Sequence, residues 1–505
     1  MTGVGAVAAW TGPAVVVAVM GRVMAGGVEA PLLVLAMLAA PLLGLLLGAP
    51  GAGDMPSARV TLTIVLVTAA CVLGAGFSVI TDFGRGLGVE PRATLAVAVA
   101  LVLIVTVRPG RAWFAASALG LGTAALLIAT VILGADVGGP PWMAWSRVAS
   151  RGAFELGPRS AWVQGGALVL EPTTLTFTET HRVTALTAGV YRVAQHDRAP
   201  ILVRERRLSA GDSLALRSGD RLSIPAGARV RFEMGKRVPG SPLSGVAWAD
   251  RQSAPPTRLL AEWLGLTVTL TGGALALVRP VGPPSRVAAL LAPATAVVVV
   301  LAATSWGVYA VDAAPELSIG VPPAAALAGL PFVMAGPAWR TPLLGATVAA
   351  LAGLLVASAS ALCRRLVDLA EFDGDRAGAG PRPVIRAVAW PIVVGVAAVG
   401  SLWIADGWRL FLHGTGLAAA SVLGPLVAMR GGVGARSAAV AGALAGAGLF
   451  VVLTATASWL DPAGGPAGAL AQYPALVAAP GSWLVTVLAR GLGRRGEEVA
   501  AARRR

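Results

Sequence analysis

Apolar residues run along this chain in blocks of about 15 to 25, not with the period of 2 or 3.6 that marks a half-buried element. A block of that length is what a helix needs to cross a hydrocarbon core about 30 Å thick. Blocks lie at Val4 to Met24, Glu29 to Leu47, Val60 to Ile80, Ala93 to Val107 and Trp113 to Leu133. After a long polar stretch they resume at Leu259 to Val278, Val287 to Val311, Leu343 to Leu362, Ala387 to Ala405, Trp408 to Met429, Ala438 to Trp459 and Leu470 to Leu488. The pattern predicts about 12 transmembrane helices. One further apolar run, Ile319 to Ala335, is short and broken by Pro322, Pro323 and Pro331. It predicts a re-entrant or surface helix over 319–336 rather than a span.

The polar stretch sets the domain organisation: helices one to five in 1–141, an insert over 142–256, helices six to twelve in 257–490 and a basic tail in 491–505. Within the insert, short runs of strand character occur at Ala167 to Leu170, Thr173 to Phe177, Val190 to Ala194, Ile201 to Arg204, Ser213 to Leu216, Arg221 to Ile224 and Arg229 to Phe232. Turn signals at Gly211-Asp212, Gly219-Asp220 and Pro225-Ala226-Gly227 separate several of them. A small antiparallel β-sandwich or barrel follows. The stretch Gly219 to Gly227 loosely resembles the second half of a cupin motif, with Arg229 and Arg231 where a metal-binding histidine is common. His181 and His196, with Glu179 and Asp197, lack the tight spacing of a metal set and read as surface or loop residues.

Composition strengthens the membrane assignment. Of 505 residues, 56% are hydrophobic and only 13% charged, about half the charged share of an ordinary soluble domain. The formal net charge of +15 resides in loops, the insert and the closing Arg503-Arg504-Arg505 run, a pattern expected for lipid headgroups and not for nucleic acid. Cys71 and Cys363 lie in or beside apolar blocks, so neither a disulfide framework nor a metal cluster is expected. The first block lacks the basic flank and small-residue cleavage site of a secretory signal and is expected to remain in the protein.

Short cytoplasmic loops concentrate arginine. The basic connections are Arg108 and Arg111, Arg279 and Arg286, 364–386, Arg430 and Arg436, and the tail. All fall on one side if 319–336 does not span, which predicts both termini in the cytoplasm and the insert outside. Counting 319–336 as a span would divide these loops between the two sides.

Carboxylates are nearly absent from the centres of the blocks: Glu262 and Asp406 lie at ends and His413 lies close to a boundary. A proton relay or an intramembrane-carboxylate enzyme is therefore disfavoured. Neutral groups remain, notably Ser358 and Ser360, beside helix-interrupting pairs such as Gly12-Pro13, Gly272-Gly273 and Gly424-Pro425. Hydroxyls next to broken helices can hold Na⁺, though small residues also serve simple close packing.

The segments 352–362, 416–425 and 438–448, with Tyr473-Pro474-Ala475-Leu476, Leu73-Gly74-Ala75-Gly76 and Pro109 to Trp113, resemble the sodium:solute symporter family and most of all its cation/acetate branch. That resemblance implies a LeuT-like inverted-repeat core, with Na⁺ as coupling ion and no other cofactor. By position, Ser358 and Ser360 would be ion ligands, and Trp10, Thr11 and Gly12 would meet the substrate at an unwound first helix. The expectation is an all-α polytopic membrane protein with an inserted extracytoplasmic all-β domain. It would be a transporter of a small organic anion such as acetate in the cytoplasmic membrane, and not an enzyme. The alternative is a transport-inactive scaffold or sensor whose β domain binds an extracytoplasmic ligand or partner.

Overall fold

The computed structural model describes residues 11–27, 58–107, 113–158, 160–195, 202–249, 256–277, 286–319, 321–333, 336–374, 388–404, 406–429, 436–460 and 472–504, with residues 8, 34–36, 39, 40 and 43 as fragments. The helices before the insert are α1 (Pro13–Ala25), α2 (Ala58–Gly86), α3 (Pro91–Val107) and α4 (Trp113–Val137). The insert opens with α5 (Pro141–Ala149) and α6 (Ala161–Gln164), continues through eight strands and closes with α7 (Gly245–Ala249). After it come α8 (Pro256–Leu277), α9 (Arg286–Ala313), a single 3-10 turn (Pro315–Ser318), α10 (Pro323–Val333), α11 (Pro337–Gly374), α12 (Trp390–Trp403), α13 (Gly407–Met429), α14 (Arg436–Leu460) and α15 (Ala475–Arg504).

The protein is mainly helical, and among the described residues eight helices are long and apolar enough to cross a membrane: α2, α4, α8, α9, α11, α13, α14 and α15. Three more of the apolar blocks form the shorter helices α1, α3 and α12, and most of the block at 29–47 lies outside the described residues. The proline-broken run forms α10, whose 11 residues reach only about 16 Å, too short to span. It is no surface helix: Ala324 to Ala328, Leu330, Pro331 and Val333 are all buried. Missing side chains make room for it. A Cβ built on Gly86 of α2 would lie 2.8 Å from the Ala325 carbonyl oxygen, and one on Gly21 of α1 would lie 2.6 Å from Pro323.

Interhelical contacts fix which helix ends meet. Trp390 Nε1 donates to Thr106 Oγ1 at 2.6 Å, Arg365 Nε to the Ala276 carbonyl at 3.3 Å and Arg490 Nη1 to the Ala428 carbonyl at 3.2 Å. With the chain direction carried through these pairs, the last turns of α3, α8 and α13 lie at the end of the bundle away from the insert, beside Arg365 of α11 and Arg490 of α15. At the opposite end Tyr309 of α9 donates to the Gly139 carbonyl beyond α4, and deeper in the bundle Trp306 Nε1 reaches Thr130 at 2.8 Å.

The insert is a sandwich of two four-stranded antiparallel sheets. Its strands are β1 (Ala167–Leu168), β2 (Thr173–Thr176), β3 (His181–Ala185), β4 (Gly189–Gln195), β5 (Leu202–Leu208), β6 (Ser213–Leu216), β7 (Arg221–Ile224) and β8 (Arg229–Phe232). The sheet orders β1-β8-β3-β6 and β2-β7-β4-β5 are those of an eight-stranded jelly roll. Alternation fills the space between the sheets with Leu175, Val183, Tyr191, Val193, Leu214, Leu222, Ile224, Val230 and Phe232, and Trp162 stacks on Phe232 at 4.6 Å. Two corners where the chain crosses between the sheets, β5 to β6 and β6 to β7, share one device. Asp212 accepts from the Ser209 amide at 2.7 Å and Asp220 from the Arg217 amide at 2.9 Å, beside Gly211 and Gly219 at φ 97° and 88°, where only glycine avoids strain.

Two expectations for the insert change. His181 is neither a surface nor a loop residue but opens β3 with its ring buried, 5.1 Å from Phe177 and Nε2 3.6 Å from Glu179; His196 and Asp197 lie outside the described residues. Arg229 and Arg231 point outward, while the inward positions of the same strand, Val230 and Phe232, are apolar. Among the described residues no group of three or more His, Cys, Asp or Glu comes together.

Two outcomes follow. Burial, the largest influence, pushes the His181 pKa below its ordinary 6.5, so near that pH the unfolded chain binds a proton that the folded strand does not. Stability of the β domain is therefore expected to fall as pH drops through about 6.5 toward the lower folded pKa, and His181→Leu should flatten the profile, read by Trp fluorescence during thermal unfolding. In the bundle, α4 and α11 cross backbone to backbone: a Cβ on Gly353 would sit 2.8 Å from Gly122 Cα. Gly353→Ala should cost about 1–3 kcal/mol and lower the Tm in detergent, whereas Gly345→Ala, in open space on the same helix, should leave it unchanged.

Candidate ion and substrate site

Thr11 and Gly12 interrupt the first apolar block. Both are bends, Gly12 has extended backbone (φ −65°, ψ 174°), and helix resumes at Pro13. Proline at the first helical position lacks an amide that would be unpaired there anyway and presets its φ for helix, so this sequence starts a helix at Pro13. Thr11 is fully buried, and a Cβ built on Gly12 would lie 3.5 Å from Ser358 Oγ. Ser358, buried on α11, thus stands directly against the break.

A third helix completes the contact. A Cβ on Gly76 of α2 would lie 2.8 Å from Leu355 Cδ1 and 3.9 Å from Pro13 Cδ, so the Gly74-Ala75-Gly76 segment brings α2 against both the start of α1 and the serine helix. The site therefore joins the Thr11-Gly12 break, the first turn of α1, Ser358 and the glycine face of α2. Its chemistry is neutral: the Thr11 and Ser358 hydroxyls and a helix N-terminus whose dipole favours an anion, with the Gly12 carbonyl accepting from the Val15 amide at 3.1 Å.

Of the residues expected to act here, the structure brings Thr11, Gly12 and Ser358 together. Trp10 lies outside the described residues. Ser360, two residues past Ser358, falls about 200° around the helix and shares the stripe of Gly353, the residue that packs on α4. Its Oγ is buried without a hydrogen-bond partner.

Sequence reading passed over two groups. The first is Thr267, Thr269 and Thr271 on α8, all buried with hydroxyls that have no hydrogen-bond partner. Elsewhere Thr68, Thr81, Thr106, Thr130, Thr304, Thr347, Thr415 and Thr486 each donate to the carbonyl four residues back. The alternating Thr-x-Thr-x-Thr before Gly272-Gly273 was the available signal.

The second group fastens the insert to the bundle. Asp312, at the end of α9 and 5% exposed in its side chain, accepts from Arg147 Nη2 at 2.7 Å and Arg151 Nη2 at 2.9 Å, with Arg147 Nε on the same oxygen at 3.0 Å. Just beyond it, Glu316 is buried against the Ser160 side chain and the Ala161 amide; burial outweighs those contacts and pushes its pKa up. On the other flank, the Gly27 amide after α1 donates to the Trp248 carbonyl at 2.9 Å, and Trp145 and Trp248 pair at 4.8 Å over this turn. The stalk helices α5 and α7 thus hold the ends of α1 and α9. These two helices are themselves in close contact, since a Cβ on Gly307 would lie 2.8 Å from the Met20 carbonyl oxygen. No family model matches this chain, and no curated protein matches it.

Asp312→Asn should leave two guanidinium groups without their counter-charge and cost about 3 kcal/mol. Glu316→Gln, which mimics the neutral form that burial favours, should cost far less. Thermal unfolding of both variants in the same detergent tests the contrast.

Proposed function

We propose that this protein is a divergent relative of the sodium:solute symporters that moves a small organic anion, a monocarboxylate such as acetate, together with Na⁺ by alternating access. The observation that carries the reading is the bend at Thr11-Gly12, from which α1 starts, seated against Ser358 of a distant helix. A helix start offers its N-terminus to a carboxylate, and a neighbouring hydroxyl supplies an oxygen ligand for a cation without a formal counter-charge. In this reading Thr11, Gly12 and Trp10 face the substrate and Ser358 is the hydroxyl ligand, whereas Ser360, on the opposite face of α11 toward α4, stands outside the ion's shell; no organic cofactor or enzymatic step is involved. The core is LeuT-like with about 12 helices. The helix ends beside Arg365 and Arg490 face the cytoplasm with both termini, and the β domain faces outward.

A second reading draws on the clasp between the insert and the α1–α9 pair: a transport-inactive scaffold or sensor in which a ligand or partner of the β domain acts on the first helix. Purified protein in proteoliposomes separates the two. Symport predicts uptake of labelled short-chain carboxylates driven by an inward Na⁺ gradient, reduced at least tenfold by Ser358→Ala, less by Ser360→Ala, and abolished by Gly12→Leu, which fills the space beside Ser358. Uptake indifferent to both Na⁺ and Ser358→Ala, or no uptake at all from folded protein, would sink the transport reading.

A further inference from the structure

The β domain carries a basic surface for which the transport reading has no use. β5 is the outer strand of the order β2-β7-β4-β5, and its Arg204, Arg206 and Arg207 are all exposed. The register sets Arg207 opposite Val190 and Glu205 opposite Arg192 on β4, and Ala194 opposite Arg221 on β7. Arg192, Arg207 and Arg221 therefore share the outward face. Arg204 and Arg206, opposite the inward-facing Val193 and Tyr191, stand at the rim where the sandwich ends. The acid among them, Glu205, is engaged by Arg192 at 2.9 Å. Cationic groups thus spread over three strands, roughly 10 Å across at the usual strand spacing, and about as far along β5. That span is too wide for one small anion and suits a chain of them.

Position favours a free polymer over the headgroups of the surrounding bilayer. The domain meets the membrane part at its opposite edge: a Cβ on Gly240 would lie 3.9 Å from both Leu175 of β2 and Ile319. β5 is three strand spacings from β2, about 14 Å. We propose that the β7-β4-β5 surface binds a linear, phosphate-bearing polymer outside the membrane, each guanidinium pairing with phosphate oxygens through two N–H donors. The location, though not the binding, rests on the reading that the β domain faces outward.

The test uses the full chain in nanodiscs of zwitterionic lipid, with long-chain inorganic polyphosphate as the probe. Binding is expected to weaken steeply with salt. The triple variant R204Q/R206Q/R207Q should lose at least tenfold in affinity and about two units of the log–log salt slope, as for three contacts to a flexible strand of phosphates, while the triple lysine variant keeps the slope and loses only part of the affinity, the part carried by the two-donor geometry. Several results overturn the proposal: unchanged affinity in the glutamine triple; self-association of that variant as its sole change, which makes the arginines mere protection of an open strand edge; equal competition by polyglutamate; or loss of polyphosphate binding once anionic lipid enters the disc, which assigns the surface to headgroups. Arg207→Cys labelled in intact cells by a membrane-impermeant maleimide reports the side independently, so polymer binding without outside labelling refutes the location alone.

Discussion

The carboxylate of Asp312 is the contact on which the arrangement of this molecule depends. It ends a long apolar helix, it is almost fully buried, and two arginines of the insert stalk converge on it. A buried carboxylate without those partners would be strongly destabilising, so the stalk cannot leave α9 without large loss. The same stalk grips the end of α1 through Gly27 and the Trp145–Trp248 pair. An insertion that could have hung on a flexible tether is instead fixed to two helices that lie against each other.

Lipid imposes the complementary rule on the rest of the bundle. Backbone groups in hydrocarbon must be satisfied inside the protein, so an irregular segment such as Thr11-Gly12 survives only where protein surrounds it. α2 and α11 supply that surround, with Gly12 against Ser358 and Gly76 against Leu355 and Pro13, while Gly21, Gly86 and Gly353 let α10 and α4 close in on the same helices farther along. The neutral hydroxyls collect where the helix is broken or the helices cross, while the charged groups collect at the ends, where Asp312 and Arg365 find partners. In the proposed mechanism the first helix is therefore both the site of binding and the element held by the β domain.

Much of the fold was legible because a membrane makes hydrophobicity nearly a direct record of span. The blocks at 60–80, 113–133 and 343–362 reappear as α2, α4 and α11, lengthened at their ends where amphipathic turns continue the helix. Strands were readable where valine, leucine and phenylalanine alternate, as in β7 and β8. β3 was not, because its inward positions begin with a histidine, and β5 ran past Arg204 because an edge strand exposed on both faces has no alternation to show. The depth of α10 was hidden as well: nothing local to Pro323–Val333 distinguishes a short helix on the surface from one buried among longer helices.

The sequence by itself determined that apolar helices of membrane-spanning length dominate the chain, that a β insert divides them, and that Gly12-Pro13 can start a helix inside the first apolar block. These follow from hydropathy, turn chemistry and backbone sterics, which act within a few residues. Only the tertiary structure decided that the start of α1 faces Ser358 and not Ser360, that the strands wind as a jelly roll, and that Asp312 binds Arg147 and Arg151. Those outcomes depend on how helices rotate and cross, a choice set by packing between segments hundreds of residues apart that no local pattern encodes.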